Sequence, residues 1–152
     1  MPPGIDPYGA GVAIGRPRSI KTAVACTVCV VLDTQRTNRG LALIAPFTRC
    51  VREGEVIELI MTDDPDASPS SRVDRVFGLA FAVVAASGVV MVGDEVQVAE
   101  GAVLGKVVGF DVAHEPNHFN VVVGCANGQT GRGVGLELGS VIGFSGARAW
   151  TT

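Results

Sequence analysis

The stretch "VVMVGDEVQVAEGAVLGKVVGFDV", residues 89–112, decides the fold. Valines recur through it, and Gly93–Asp94 and Glu100–Gly101 interrupt it at the intervals expected of tight hairpins. In "DEVQVAEG" the side chains alternate: Val96 and Val98 fall on one face, Glu95 and Gln97 on the other. That period of two belongs to a strand with one buried face. Consecutive short strands leave unpaired edges, and a sheet that closes on itself has none. The expected architecture is therefore all-β, a small closed or nearly closed antiparallel β-barrel, with a two-sheet β-sandwich as runner-up.

Working outward, strand candidates cover residues 20–32, 40–46, 54–61, 76–86, 88–92, 94–99, 102–113, 118–124 and 134–144. The nearest thing to a helix is "RVDRVFGLAFAVVAA", residues 72–86, with Ser70 and Ser71 as candidate caps. Its apolar positions run almost without a break, and Gly78 with the paired valines favours a strand. Residues 1–18 carry four prolines and four glycines and are read as an extended N-terminal arm. Residues 19–152 are read as a single barrel domain. The break "MTDDPDASPSSR", residues 61–72, is either a surface loop or a lid over the barrel mouth, and the surface loop is preferred.

Composition excludes some functions. The chain is 47% hydrophobic and only 18% charged, with a formal net charge of −3, so it lacks the basic footprint of a nucleic-acid binder. Arg16, Arg18 and Lys21 precede an apolar run and mimic a signal peptide, but no small-residue cleavage pattern follows. The run is also too short to span a bilayer. These features point to a cytoplasmic protein without membrane or nucleic-acid partners. The excess of arginine over lysine and the abundance of Ala, Gly and Val fit a GC-rich bacterial source. Cys26 and Cys29 form a C-x-x-C within a strand, where positions three apart face opposite ways. They are read as small buried hydrophobes and not as a redox or metal pair.

The stretch "GFDVAHEPNHFNVVVG", residues 109–124, holds both histidines. A two-residue turn with Pro116 in second position sorts its side chains onto two faces. Asp111, Ala113, Glu115, His118, Asn120 and Val122 share one face. Phe110, Val112, His114, Phe119, Val121 and Val123 share the other, which is the core face. A carboxylate beside an imidazole fixes its tautomer and makes it a better base. His118 is therefore the candidate acid–base, with Glu115 or Asp111 as its orienting partner. Asn117 and Asn120 are candidate donors to a developing anion. His114, at the rim of the core face, is the lesser catalytic candidate, and Phe119 lies beside it on the substrate side. The same sorting places the two histidines on opposite faces, so no metal is expected.

Two further candidates lie elsewhere. Arg49 in "APFTRCVREGE" is placed to grip a substrate carboxylate, unless it pairs with a nearby glutamate. Glu137, between Leu136 and Leu138, is a carboxylate for an apolar cavity if that face is covered. The glycine-rich "GCANGQTGRGVGLELG", residues 124–139, matches neither a phosphate loop nor a dinucleotide fingerprint. It is read as a flexible loop near a ligand. The first functional expectation is a cofactor-independent bacterial enzyme acting on a small organic molecule, possible reactions being isomerisation, dehydration, or condensation and cyclisation of the Pictet–Spengler type. The alternative is a non-catalytic barrel, a ligand carrier or structural subunit. A homo-oligomer is expected either way.

Overall fold

A computed structural model describes residues 20–99 and 101–146, and the proposed N-terminal arm, residues 1–18, lies outside them. Among the described residues there is no helix. Twelve strands follow in order: β1 (Val24–Val31), β2 (Gln35–Arg36), β3 (Leu41–Ala42), β4 (Thr48–Val51), β5 (Val56–Thr62), β6 (Arg72–Val73), β7 (Val76–Val84), β8 (Gly88–Met91), β9 (Glu95–Val98), β10 (Val103–Asp111), β11 (Phe119–Gly124) and β12 (Val141–Ser145).

Seven of them close a barrel in the order β1-β12-β9-β10-β11-β5-β7, and β7 returns to pair with β1. The short β2 adds to β7 beyond β1, pairing at Phe77 and Val76. Neighbours are antiparallel except β11 and β5, which run parallel from Phe119↔Ile57 to Gly124↔Thr62. Two small sheets, β3-β6 and β4-β8, lie against the barrel. Within 72–86 the chain forms β6 and β7 and no helix, as its glycine and valines indicated.

Alternation sorts each strand's residues between the interior and the outer wall. Phe110, Phe119 and Phe144 fill the interior with Ile57, Leu59 and Met61. Val51 of β4, Val90 of β8 and Leu136 of the 125–140 segment join the same core, so side chains occupy the barrel from mouth to mouth. Cys26 is buried in it as expected, but Cys29 is exposed and not buried: alternation turns it outward, where its thiol donates to the Phe81 carbonyl. A second apolar cluster sits outside the wall, where Leu41, Leu43, Val73 and Val76 cover the outward-facing Ile60 and Val122. The rim where β1 begins is tied by Lys21, whose ammonium lies 2.9 Å from the buried Asp94. Asp94 also accepts the Met91 N–H at 3.0 Å.

One expectation for the loops needs correction. The segment 61–72 is braced within itself, through Asp66 N–H to Asp64 at 2.9 Å and Ser68 N–H to the Ser71 hydroxyl at 3.0 Å, and is tied to Leu43 through backbone hydrogen bonds. The glycine-rich segment is not a flexible ligand loop. Gly131 N–H donates to the Gly78 carbonyl at 2.9 Å and Arg132 N–H to the Leu32 carbonyl at 3.0 Å. A Cβ at Gly131 would overlap the Leu79 carbonyl oxygen, and one at Gly128 would overlap the Phe77 ring. These glycines serve close approach of backbone to strand. No helix among the described residues is long and apolar enough to cross a membrane.

Candidate functional site

β10 and β11 are joined by residues 112–118, a longer connection than the expected two-residue turn. The observed register pairs Asp111 with Asn120 and Phe110 with Val121. That is two residues from the expected register, and a slip of two keeps every side chain on its own face. Phe110, Phe119, Val121 and Val123 accordingly point inward, and Asp111, Asn120 and Val122 point outward.

The outward row continues across the sheet. Asn120 is opposite Glu58 on β5, and Glu58 is opposite Phe81 on β7. Asp111, Asn120 and Glu58 are all buried, because residues 39–44 run over this wall. Asp111 accepts N–H groups from Ala42 and Ala113, each at 3.0 Å, and the Asn120 amide at 3.3 Å. Its carboxylate therefore anchors the covering segment and the start of the 112–118 loop, and it does not orient His118. Asn120 is fully buried beside it, so its amide is engaged in that anchoring.

His118 closes the row from the loop side. Its Nε2 lies 3.4 Å from Glu58 Oε1 without making a hydrogen bond, and Arg39 approaches the other Glu58 oxygen at 3.6 Å. Its Nδ1 lies 2.7 Å from the side-chain amide of Asn117. The imidazole meets the Phe81 ring edge to face, with centroids 5.2 Å apart. His114 stacks on its other side, centroids 5.1 Å apart and planes within 14°. This corrects the sorting of the histidines: His114 is exposed and stacked on His118, not packed on the aromatic core edge, and the two rings lie together. The turn model failed there because residues 112–118 leave the sheet and follow no strand alternation.

Glu115 is not the partner of His118. It pairs with Arg49, whose guanidinium lies 4.4 Å over the Phe119 ring. Arg49 thus clamps the loop from β4, and its partner is a glutamate distant in sequence and not Glu53 or Glu55. Glu55 instead accepts the Arg52 N–H at 2.6 Å. Glu137 is exposed in a turn, since β12 begins only at Val141, and its N–H donates to Ser140 at 3.0 Å. It occupies no apolar cavity.

Beside the loop lies an open hollow of about 490 Å³, lined by Glu55, Val56, Glu115, Asn117, His118 and Phe119, with Gly54 and Pro116 completing the rim. Of the predicted site residues, Glu115, Asn117, His118 and Phe119 meet there, with Arg49 just behind them. Asp111, Asn120 and Glu137 do not line it. The residue that sequence reasoning missed is Glu58. It sits in "VIELIMT", where a glutamate between isoleucine and leucine reads as one outward charge on an exposed strand. Its burial at 7% exposure, beneath the 39–44 segment, was the feature no local pattern disclosed. Among the described residues no cluster of three or more His, Cys, Asp or Glu has the arrangement of a metal site.

What this geometry amounts to is a β-barrel with a histidine set against a buried carboxylate at its rim. The chain belongs to a family of unknown function, DUF6917, whose model matches residues 18–145. Neither the comparison with curated proteins nor that with solved structures finds a match.

Proposed function

We propose that the protein is a cofactor-independent bacterial enzyme that performs acid–base chemistry on a small organic molecule seated in the rim hollow. One observation carries the reading: Glu58, buried in the wall, faces Nε2 of His118, while Nδ1 is turned toward Asn117 at the hollow. A buried carboxylate on one ring nitrogen and a reacting group on the other is the arrangement that orients an imidazole for proton transfer. Asn117 occupies Nδ1 at rest, and a substrate oxygen or nitrogen takes its place. A hollow of about 490 Å³ is within the range used for small organic ligands. Isomerisation, dehydration and condensation or cyclisation of the Pictet–Spengler type each need one such group.

The alternative is a non-catalytic barrel that carries a ligand or serves as a subunit. Within that alternative the filled interior favours the subunit over the carrier, because ligand-carrying barrels keep an internal cavity. On either reading we propose a cytoplasmic homo-oligomer without nucleic-acid or membrane partners. The net charge of −3 and the absence of any disulfide among the described cysteines support that setting.

The test pairs arylethylamines with aldehydes, and enolisable carbonyl acids with deuterated water, and follows both by mass spectrometry and NMR. Turnover that falls about 10²-fold or more in His118→Ala, and less in Glu58→Gln, is expected. Ligands that shift the resonances of residues 115–119 with no His118-dependent conversion would establish the carrier reading instead.

A further inference from the structure

Three polar groups meet on the outer wall beneath residues 39–44, and each keeps an atom without a hydrogen bond. Asn120 on β11 is 0% exposed and stands opposite Glu58 on β5. Its amide meets Asp111 on β10, whose carboxylate only accepts, so the atom facing Asp111 is the nitrogen. β10 and β5 flank β11 on opposite sides. The two arms of a planar amide diverge, so with its nitrogen toward β10 the oxygen turns toward β5 and Glu58. That oxygen has no hydrogen-bond partner among the described residues. His118 Nε2, two residues earlier in the chain, has none either, although Glu58 Oε1 is 3.4 Å away. Arg39 meets the other Glu58 oxygen at 3.6 Å, beyond hydrogen-bond reach. Buried polar atoms in folded proteins are nearly always hydrogen-bonded, to protein or to ordered water.

We infer that Glu58, Asn120 and His118 bind one water molecule between them, and that Asn120 acts through it as a positioning residue for His118. The inference rests on the acid–base reading of the hollow given above. Glu58 and the Asn120 oxygen are both acceptors, so they take the two O–H groups of the water. His118 Nε2 then faces the water oxygen and has to donate, which puts the imidazole proton on Nε2. The lone pair is left on Nδ1, the ring atom turned toward Asn117 at the hollow. The Asn117 amide suits this tautomer, since a half-turn exchanges its oxygen for its NH2 group. A neutral donor fits better than a cation, because Arg39 already supplies a positive charge to Glu58. Asn120 thereby selects which nitrogen is basic without touching the substrate.

Nitrogen-15 NMR of the full chain tests this, since the shifts of the two ring nitrogens report the tautomer of each histidine. The chain has only two histidines, and the spectrum of His114→Gln assigns the signals of His118. Neutral His118 is expected as the Nε2–H form, with a rotating-frame cross-peak from the Nε2 proton to a bound water. Asn120→Leu frees one O–H of the water to donate to Nε2, so the Nδ1–H fraction rises about fivefold. Asp111→Asn disturbs the same anchor but leaves the Asn120 oxygen in place, and it keeps the wild-type tautomer. Circular dichroism verifies that the variants fold. In wild type alone, an Nδ1–H form, or an Nε2 proton without a water cross-peak, overturns the inference. An Nδ1–H fraction that rises as much in Asp111→Asn as in Asn120→Leu reduces Asn120 to a structural part and overturns it as well. The expected water and tautomer without any His118-dependent turnover would instead refute the enzyme reading and leave the water site standing.

Discussion

Asp111 looks catalytic in the linear sequence, three residues before a histidine, yet its two oxygens are taken up by three donors of the protein itself. Two of those donors are backbone N–H groups on different segments, Ala42 and Ala113, so the carboxylate joins the covering 39–44 segment to the hairpin. Removing it leaves buried donors without acceptors, which costs more than the bonds contribute. Asp111→Ala is expected to lower the free energy of unfolding by about 3 kcal/mol in urea titrations. Asp111→Asn should recover little of that, because the amide replaces one acceptor oxygen by a donor. A loss below about 0.5 kcal/mol for both variants would show that the anchor is dispensable. The same residue explains a difference in what could be read. Glu58 and Asp111 are both single acidic residues within apolar strands, and only the fold reveals which one faces the imidazole.

At the scale of elements, most barrel strands were readable, while β4 at Thr48–Val51 was missed, the candidate at 134–144 is strand only from Val141, and the connections were not readable. Alternation in "DEVQVAEG" and the valine-rich runs specify faces, and faces survive a register slip of two residues, which is why Phe110, Phe119 and Asn120 were placed correctly while the turn was not. The loop carrying His114, Glu115 and His118 has no period, and its partners, Arg49 and Glu58, come from β4 and β5. Non-local contacts of that kind leave no mark in neighbouring residues. Glycines 128 and 131 misled for a related reason: glycine marks close approach as readily as mobility. Gly131→Ala separates the two meanings. Its Cβ has no space beside the Leu79 carbonyl, so the Gly131–Gly78 bond and the seating of Leu136 in the core must both give way. Destabilisation of about 2–4 kcal/mol is expected, with faster amide exchange confined to residues 128–136. A flexible loop would tolerate the methyl at no cost.

The whole molecule is a closed ring whose interior is apolar, and a charge created inside it has to be accommodated by every strand at once. Cys26 sits at the seam of the ring, opposite Ile142 on β12 and opposite Val84 on β7. Burial pushes its thiol up to about 12 from the ordinary 9.0, because the thiolate would lie in low dielectric without a partner. The sign follows from proton binding. Between those two values the folded chain keeps a proton that the unfolded chain has released, so unfolding is favoured as pH rises. The contribution is complete below pH 9.0 and is lost progressively toward about 12. The folding constant should therefore fall about tenfold per pH unit across that window from this one group. Cys26→Ala lacks only this thiol and serves as reference, since the other three cysteines are present in both proteins. Urea unfolding at intervals from pH 8 to 11 should show wild type ahead at neutral pH, through its better-filled core, and the two curves converging above pH 9. Parallel curves would mean that the barrel opens locally at the β1–β12 seam and ionises Cys26 without unfolding, which would make the ring less cooperative than its closed hydrogen-bond network implies.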